Sequence, residues 1–214
     1  MRPPTLRFHG RKNHKASVFG MSGVNGAYQV DWGAGGFAGL TELFELNKPV
    51  IAAVDGMAVG GGFELALACD LIVASESSEF FLPESRVGLI ADGGGVLRLP
   101  KRLPYSIAME MFLIGRRMGA REAFDRGLVN HVTPDGTALS RAWTLAEQIL
   151  ASAPLAVQAY KEVVKATAHL PVSVGYEVMR TDSCSTYRRM RESEDFREGP
   201  RAFAEKRAPQ WKGY

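Results

Sequence analysis

Cysteine is scarce in this chain. Cys69 and Cys184 are the only two in 214 residues, too few for a disulfide framework, and Cys69 falls in an apolar run where it reads as packing. The four histidines, His9, His14, His131 and His169, lie at no metal-ligand spacing, so no metal is expected. No apolar run approaches the ~20 residues that a membrane helix needs. Neither charge sign is in excess: 26 basic and 23 acidic residues leave +3, too mild to argue for nucleic acid or a membrane surface. These absences predict a cytoplasmic, metal-free globular protein. Hydrophobic residues at 46% with charged residues at 23% supply enough apolar material for the core of one large domain. Acid is missing locally as well. Residues 1–29 hold seven basic residues, counting His9 and His14, no Asp or Glu, and little periodicity. An atypical, poorly structured segment is expected over 1–30, followed by an α/β core over 31–135 and a helical region over 136–214.

What is present centres on one stretch, Lys48 to Asp70. Val50 to Val54 is short, apolar and partly β-branched, which predicts a buried strand. Phe63 to Cys69 reads as a buried helix. Between them stand Gly60, Gly61 and Gly62, with Glu64 in the first helical turn. The first amides of a helix have no internal acceptor, and glycine lets a ligand approach them closely. A carboxylate in that turn is placed either to move protons at a held oxyanion or simply to complement the helix dipole.

Further elements follow in order. A short helix is expected over Leu40 to Leu46, after a glycine-rich loop from Gly33 to Gly39. Strands are expected at Leu71 to Ala74 and Phe80 to Leu82, then Pro83 and Glu84 at the mouth of a loop. A second glycine-rich turn runs from Gly88 to Gly95 and contains Asp92. Val96 to Leu99 and Tyr105 to Leu113 have helical spacing broken by Pro100 and Pro104, and Gly115 ends the second. Ala120 to Arg126 predicts a short helix and Leu128 to Val132 a strand. The rest reads as helices over Ala138 to Ala151, Leu155 to Ala168, Pro171 to Met190 and Glu194 to Arg207. Strand–helix units first and helices last give an α/β core with a helical C-terminal part.

Glu64 and Glu84 stand twenty residues apart, each beside a glycine turn, and the intervening elements are long enough to carry the chain out and back. Two carboxyl groups flanking a small substrate can activate one water, one as base and one as acid. Asp92 is a possible third. Each of the three also fits a capping or solvent-facing acid.

Taken together, Gly-Gly-Phe-Ala-Gly-Leu-Thr (35–41), Gly-Gly-Gly-Phe-Glu-Leu-Ala (60–66), Gly-Gly-Val-Leu-Arg-Leu-Pro (94–100), Gly-Arg-Arg-Met-Gly-Ala (115–120) and Phe-Ala-Glu-Lys-Arg (203–207) resemble the crotonase family of enoyl-CoA hydratases and isomerases. The likeness runs from about Asp31 to the C-terminus. It implies a spiral of ββα turns with C-terminal helices that build a homotrimer, often paired into a hexamer. It implies an acyl-CoA substrate, with no cofactor beyond the CoA moiety. On this chain Gly61 would supply one oxyanion-hole amide for the thioester carbonyl, with Glu64 and Glu84 as the acid/base pair adding or removing water. Gly60, Asp92, Gly93 and Lys206 would line the substrate, Lys206 beside the CoA adenosine phosphate or as a solvated terminal charge. Asp92 stands where some isomerases carry a second base. It would equally face the trimethylammonium of a carnitine-like acyl group, the branch that its flanking residues resemble. General enoyl-CoA hydration, isomerisation, and an inactive remnant that only oligomerises are the alternatives.

The family's other oxyanion amide comes from a Ser/Cys-Ala-Gly-x-Asp segment that should fall near Lys15 to Val18. Here the sequence reads Asn13-His-Lys-Ala-Ser-Val-Phe-Gly20, without a match. The expectation is therefore a spiral lacking its first part, a bare sheet edge, and hydratase activity reduced on the order of 100- to 1000-fold by the lost donor. A mis-set start or a frame shift in the source gene would produce such an N-terminus.

Overall fold

The computed structural model describes residues 33–214 and the backbone of one strand, β1 (Thr5–His9). The chain forms two compact units. One holds β1, residues 33–44 and residues 50–142; the other holds residues 45–49 and 143–214.

The first unit is built from strand pairs that feed two sheets in turn. β2 (Ile51–Asp55) runs into β3 (Met57–Val59) through Gly56, and α1 (Gly61–Ala68) follows. β4 (Leu71–Ser75) and β5 (Glu79–Phe81) repeat the step. β2 and β4 pair in parallel, Ile51 opposite Leu71, while β3 and β5 pair in parallel in the second sheet, Met57 opposite Glu79. Each ββα turn thus stacks on the one before it, which is the predicted spiral. β6 (Met118–Gly119) closes the small sheet antiparallel to β5, and β7 (His131–Thr133) extends the larger one beside β4. On the far side β1 pairs with β2, Thr5 opposite Ile51, so the edge expected to be bare carries a parallel partner. The rest of the segment expected to be poorly structured, 1–4 and 10–30, lies outside the described residues.

Buried hydroxyls hold the corners where strands change sheets. Ser78 donates from Oγ to the Val54 carbonyl at 2.9 Å and accepts from the Gly56 amide at 3.3 Å, with Ser75 Oγ 2.8 Å away. Asp70 closes the helix-to-strand turn by accepting from the Val50 amide at 2.7 Å and returning its own amide to the Val50 carbonyl. Polar groups that leave a regular ladder inside a protein must be satisfied in this way. The core beneath is apolar: Val54, Phe63, Ile72, Phe80, Leu99, Met111 and Met118 are all below 2% exposed, and the Phe63 and Phe80 rings meet at 5.3 Å.

Several expectations for the first unit are corrected. No helix forms over Leu40 to Leu46: a 3-10 turn at Phe37–Gly39 is followed by turns, in which the Glu42 amide goes to the Gly35 carbonyl, the Leu43 amide to Leu40 and the Phe44 amide to Glu42 rather than along an i→i−4 ladder. Pro100 does not end its helix but sits inside α2 (Gly95–Arg102). At the sixth of eight positions its missing N–H deprives only the carbonyl of exposed Val96, which water can reach. The strand expected over Leu128 to Val132 starts at His131, since Asn130 spends its amide and side chain on Ile72 (both 2.8 Å). β3 and β6, at three and two residues, are too short for alternation to reveal. They were absent from the expected elements.

α3 (Tyr105–Ile114) and α4 (Ala120–Asp125) complete the first unit, and α5 (Ala138–Leu150) leads out of it. The second unit contains α6 (Pro154–Thr167), α7 (Val172–Met179), α8 (Ser185–Glu192) and α9 (Glu194–Ala204). The single helix expected over Pro171 to Met190 is divided. Glu162 of α6 accepts from the amides of Thr186 (3.0 Å) and Tyr187 (2.9 Å), capping a new helix start that a continuous helix would not offer. From the same helix Lys161 and Lys165 reach back to residues 46–48, with Lys165 2.6 Å from Asn47 Oδ1.

Candidate active site

Gly60 links β3 to α1 with φ 54° and ψ −126°, a conformation that side chains oppose. Its amide donates to the Phe81 carbonyl at 3.1 Å, and its carbonyl receives the amides of Phe63 and Glu64. Gly61, first in the helix, keeps an amide with no intrahelical acceptor. Glu64, one turn on, is 5% exposed, and its Oε1 accepts from the Gly95 amide at 2.9 Å. A Cβ on Gly93 would lie 2.8 Å from Glu64 Oε2, so the second glycine turn lies directly against this carboxyl. Burial raises the Glu64 pKa; the Gly95 amide opposes it, and the carboxylates of Glu84 and Asp92 add to it.

Glu84 opens a 3-10 turn, Glu84–Val87. That turn is clamped to the C-terminus of α3, where Arg86 donates to the Ile114 carbonyl from Nε (3.1 Å) and Nη2 (2.5 Å). Last-turn carbonyls lack internal donors, so a guanidinium fork suits them. Glu84 Oε1 reaches Gly60 so closely that a Cβ there would stand 2.7 Å away. Its other oxygen, Oε2, is buried with no hydrogen-bond partner among the described residues. Burial raises the Glu84 pKa, its own amide opposes this, and Asp92 adds to it. A buried, unbonded carboxyl oxygen favours the neutral acid.

The fold therefore brings Glu64, Glu84, Gly60, Gly61 and Gly93 together at the start of α1. Asp92 is exposed on the adjoining turn, near enough to raise the pKa of both glutamates. Lys206 belongs to the helical unit, exposed on the turn after α9 with φ 53°. That unit also has a cleft of about 600 Å³ whose charges pair with one another, Arg207 on Glu198 and Lys212 on Glu194.

Three contributors escaped the sequence reading. Phe37 places its ring against Gly61, where a Cβ would come within 2.5 Å of Cζ. The Gly95 amide is invisible to any reading of side chains. Arg98 is half-buried and donates from Nη2 to the Thr41 carbonyl. A cation inside the apolar run Val96 to Leu99 was the available signal for it. Among the described residues no group of three or more His, Cys, Asp or Glu is placed to hold a metal, and no helix is long and apolar enough to cross a membrane.

A ββα spiral that sets two carboxyl groups at a glycine-capped helix start is the frame of an acid–base enzyme. The chain belongs to the enoyl-CoA hydratase/isomerase family, whose profile matches residues 20–214. It is 56% identical over 187 residues to the carnitinyl-CoA dehydratase of Proteus mirabilis, covering 87% of this chain and 72% of that one. The carnitinyl-CoA dehydratase of Salmonella typhi is 54% identical over the same shares. Among solved structures, an enoyl-CoA hydratase of Mycobacterium marinum superposes with a TM-score of 0.77 at 44% identity, covering 84% of this chain and 72% of that one. One from Mycobacterium tuberculosis gives 0.76 at 46%, covering 84% and 69%.

Proposed function

We propose that this protein adds water across, and removes it to form, the 2,3 double bond of an enoyl-CoA thioester, with crotonobetainyl-CoA and carnitinyl-CoA as the pair. The observation that carries the reading is the convergence of Glu64 and Glu84 on the glycine-capped start of α1. In hydration the Gly61 amide donates to the thioester oxygen as it gains enolate charge. The Glu64 carboxylate takes a proton from water while the water oxygen bonds to C3. Glu84, neutral at the outset, delivers its proton to C2. Dehydration runs the same steps in reverse. Burial suits both roles by drawing the two pKa values up toward working pH. Gly60 and Gly93 leave room for the substrate, and Asp92 faces the trimethylammonium of the acyl group. Lys206 contacts the CoA phosphate, and the functional form is a cytoplasmic homotrimer or hexamer. The carnitinyl relatives support the acyl preference.

The test is a panel of acyl-CoA thioesters, cationic and neutral, assayed with the wild type, E64Q and E84Q. Each substitution is expected to lower kcat about 10²- to 10⁴-fold. Activity that survives both would refute the acid/base assignment. Equal kcat/KM for crotonyl-CoA and crotonobetainyl-CoA would refute the carnitine preference.

A further inference from the structure

Arg98 lies in α2, three residues beyond the Gly95 amide that holds Glu64. It is half-buried, and its guanidinium donates to the carbonyl of Thr41, a residue only 1% exposed. A Cβ on Gly94 would collide with the same guanidinium, so the glycine turn is shaped around it. Thr41 belongs to the tightly wound loop over 33–44. Within it the Glu42 amide donates to the Gly35 carbonyl at 2.9 Å and the Gly39 amide to the Gly36 carbonyl at 2.9 Å. This is the loop that lays Phe37 over Gly61.

We infer that Arg98 is a positioning residue of this site: its guanidinium fastens the 33–44 loop, with the Phe37 ring over Gly61, to the helix whose first amide holds Glu64. One cation thereby fixes the wall beside the Gly61 amide and the support behind the Glu64 carboxyl. A planar fork suits a fixed carbonyl better than a mobile ammonium does, which explains an arginine at this place. Its charge has a second effect. Burial lowers the Arg98 pKa while the Glu64 and Glu42 carboxylates raise it, so by reciprocity Arg98 favours the ionised form of Glu64. Among the described residues the other charged groups acting on Glu64 are Glu84, from the turn after β5, and Asp92, from the turn before α2. Both oppose ionisation, leaving Arg98 as the countering cation.

The kinetic arm of this inference rests on Glu64 acting as the base in hydration; the structural arm does not. R98Q removes charge and fork, whereas R98K keeps the charge and loses the fork. Hydrogen exchange over 35–44 and the pH profile of kcat/KM separate the two effects. In R98Q the loop amides are expected to exchange at least tenfold faster, and the acidic limb to move to higher pH as Glu64 loses its counter-cation. In R98K the loop is again expected to exchange faster while the limb stays at its wild-type position. Wild-type exchange of the loop in R98Q overturns the inference. If R98Q does not fold, R98K decides: faster exchange confined to 35–44 supports the inference, and wild-type exchange there overturns it. A wild-type enzyme that hydrates no enoyl-CoA defeats the proposed function but leaves the exchange result to judge Arg98.

Discussion

Glu64 and Glu84 carry the same functional group in different settings. Glu64 has the Gly93 and Gly95 amides on its carboxyl, which favour the anion, while Glu84 has only its own amide and its buried Oε2 has no hydrogen-bond partner among the described residues. That asymmetry gives a physical reason to make Glu64 the base and Glu84 the acid in hydration. Asp92 acts on both from the rim. Because its charge raises both pKa values, D92N is expected to lower them and to move the whole bell-shaped pH profile of kcat/KM to lower pH. The same variant should raise KM for crotonobetainyl-CoA about two- to fivefold relative to crotonyl-CoA, the roughly 0.5–1 kcal/mol that an exposed ion pair contributes. An unmoved profile would remove Asp92 from the site. Of these residues the sequence displayed both glutamates and Asp92, because acids next to glycine turns are visible one position at a time. Phe37 and Arg98 act through contacts with residues 24 and 57 positions away in sequence, beyond the reach of local patterns.

At the scale of elements, the site depends on the corners of the spiral. β2 and β4 must leave one sheet and enter the other at matching points, or the Gly60 turn and the Glu84 turn would not meet. Ser78 fixes that match, joined to Val54, Gly56 and Ser75 inside the fold. S78A would leave the Val54 carbonyl and the Gly56 amide without this partner, at a cost of about 1–3 kcal/mol. Urea denaturation should show a lower midpoint with an unchanged slope, since the surface exposed on unfolding is the same. A midpoint equal to wild type would assign the corner to apolar packing instead. The buried strands from Ile51 and Leu71 were legible as continuous apolar runs, whereas β3 and β6 exist only through their pairing with β5. The long helix expected after Pro171 failed for a similar reason. Its break at 180–184 is stabilised by Glu162, a residue of another helix.

For the whole molecule, each of the two units has its own means of closure. In the helical unit Asp195 accepts from the Lys212 and Gly213 amides (2.7 and 2.9 Å), and Glu198 holds Arg207 bidentately at 2.6 and 3.0 Å. Those bonds hold the Glu198 carboxyl down to about 2. A depressed carboxylate contributes stability above its unfolded pKa, near 4.3, and loses it as pH falls toward 2. E198Q is therefore expected to be less stable than wild type at pH 7, with the difference narrowing between pH 4.5 and 2. Thermal melts across that window test this, and a constant difference would sink it.

The sequence by itself determined the class of the protein. Local glycine, acid and apolar patterns dictate an α/β core with a helical C-terminal part, since each residue type answers to its own φ, charge or hydrophobicity, and the order of the motifs resembles one family, a likeness that implies the ββα spiral. It also named both glutamates and Gly61. Only the tertiary structure decided what surrounds them: which amides bear on Glu64, that Glu84 Oε2 has no hydrogen-bond partner among the described residues, and that Arg98 bonds the Thr41 carbonyl of the Phe37 loop. The reason is range. Backbone amides look alike in every sequence, and a carboxyl group's proton affinity is set by whatever burial and charge the fold brings within a few ångströms of it.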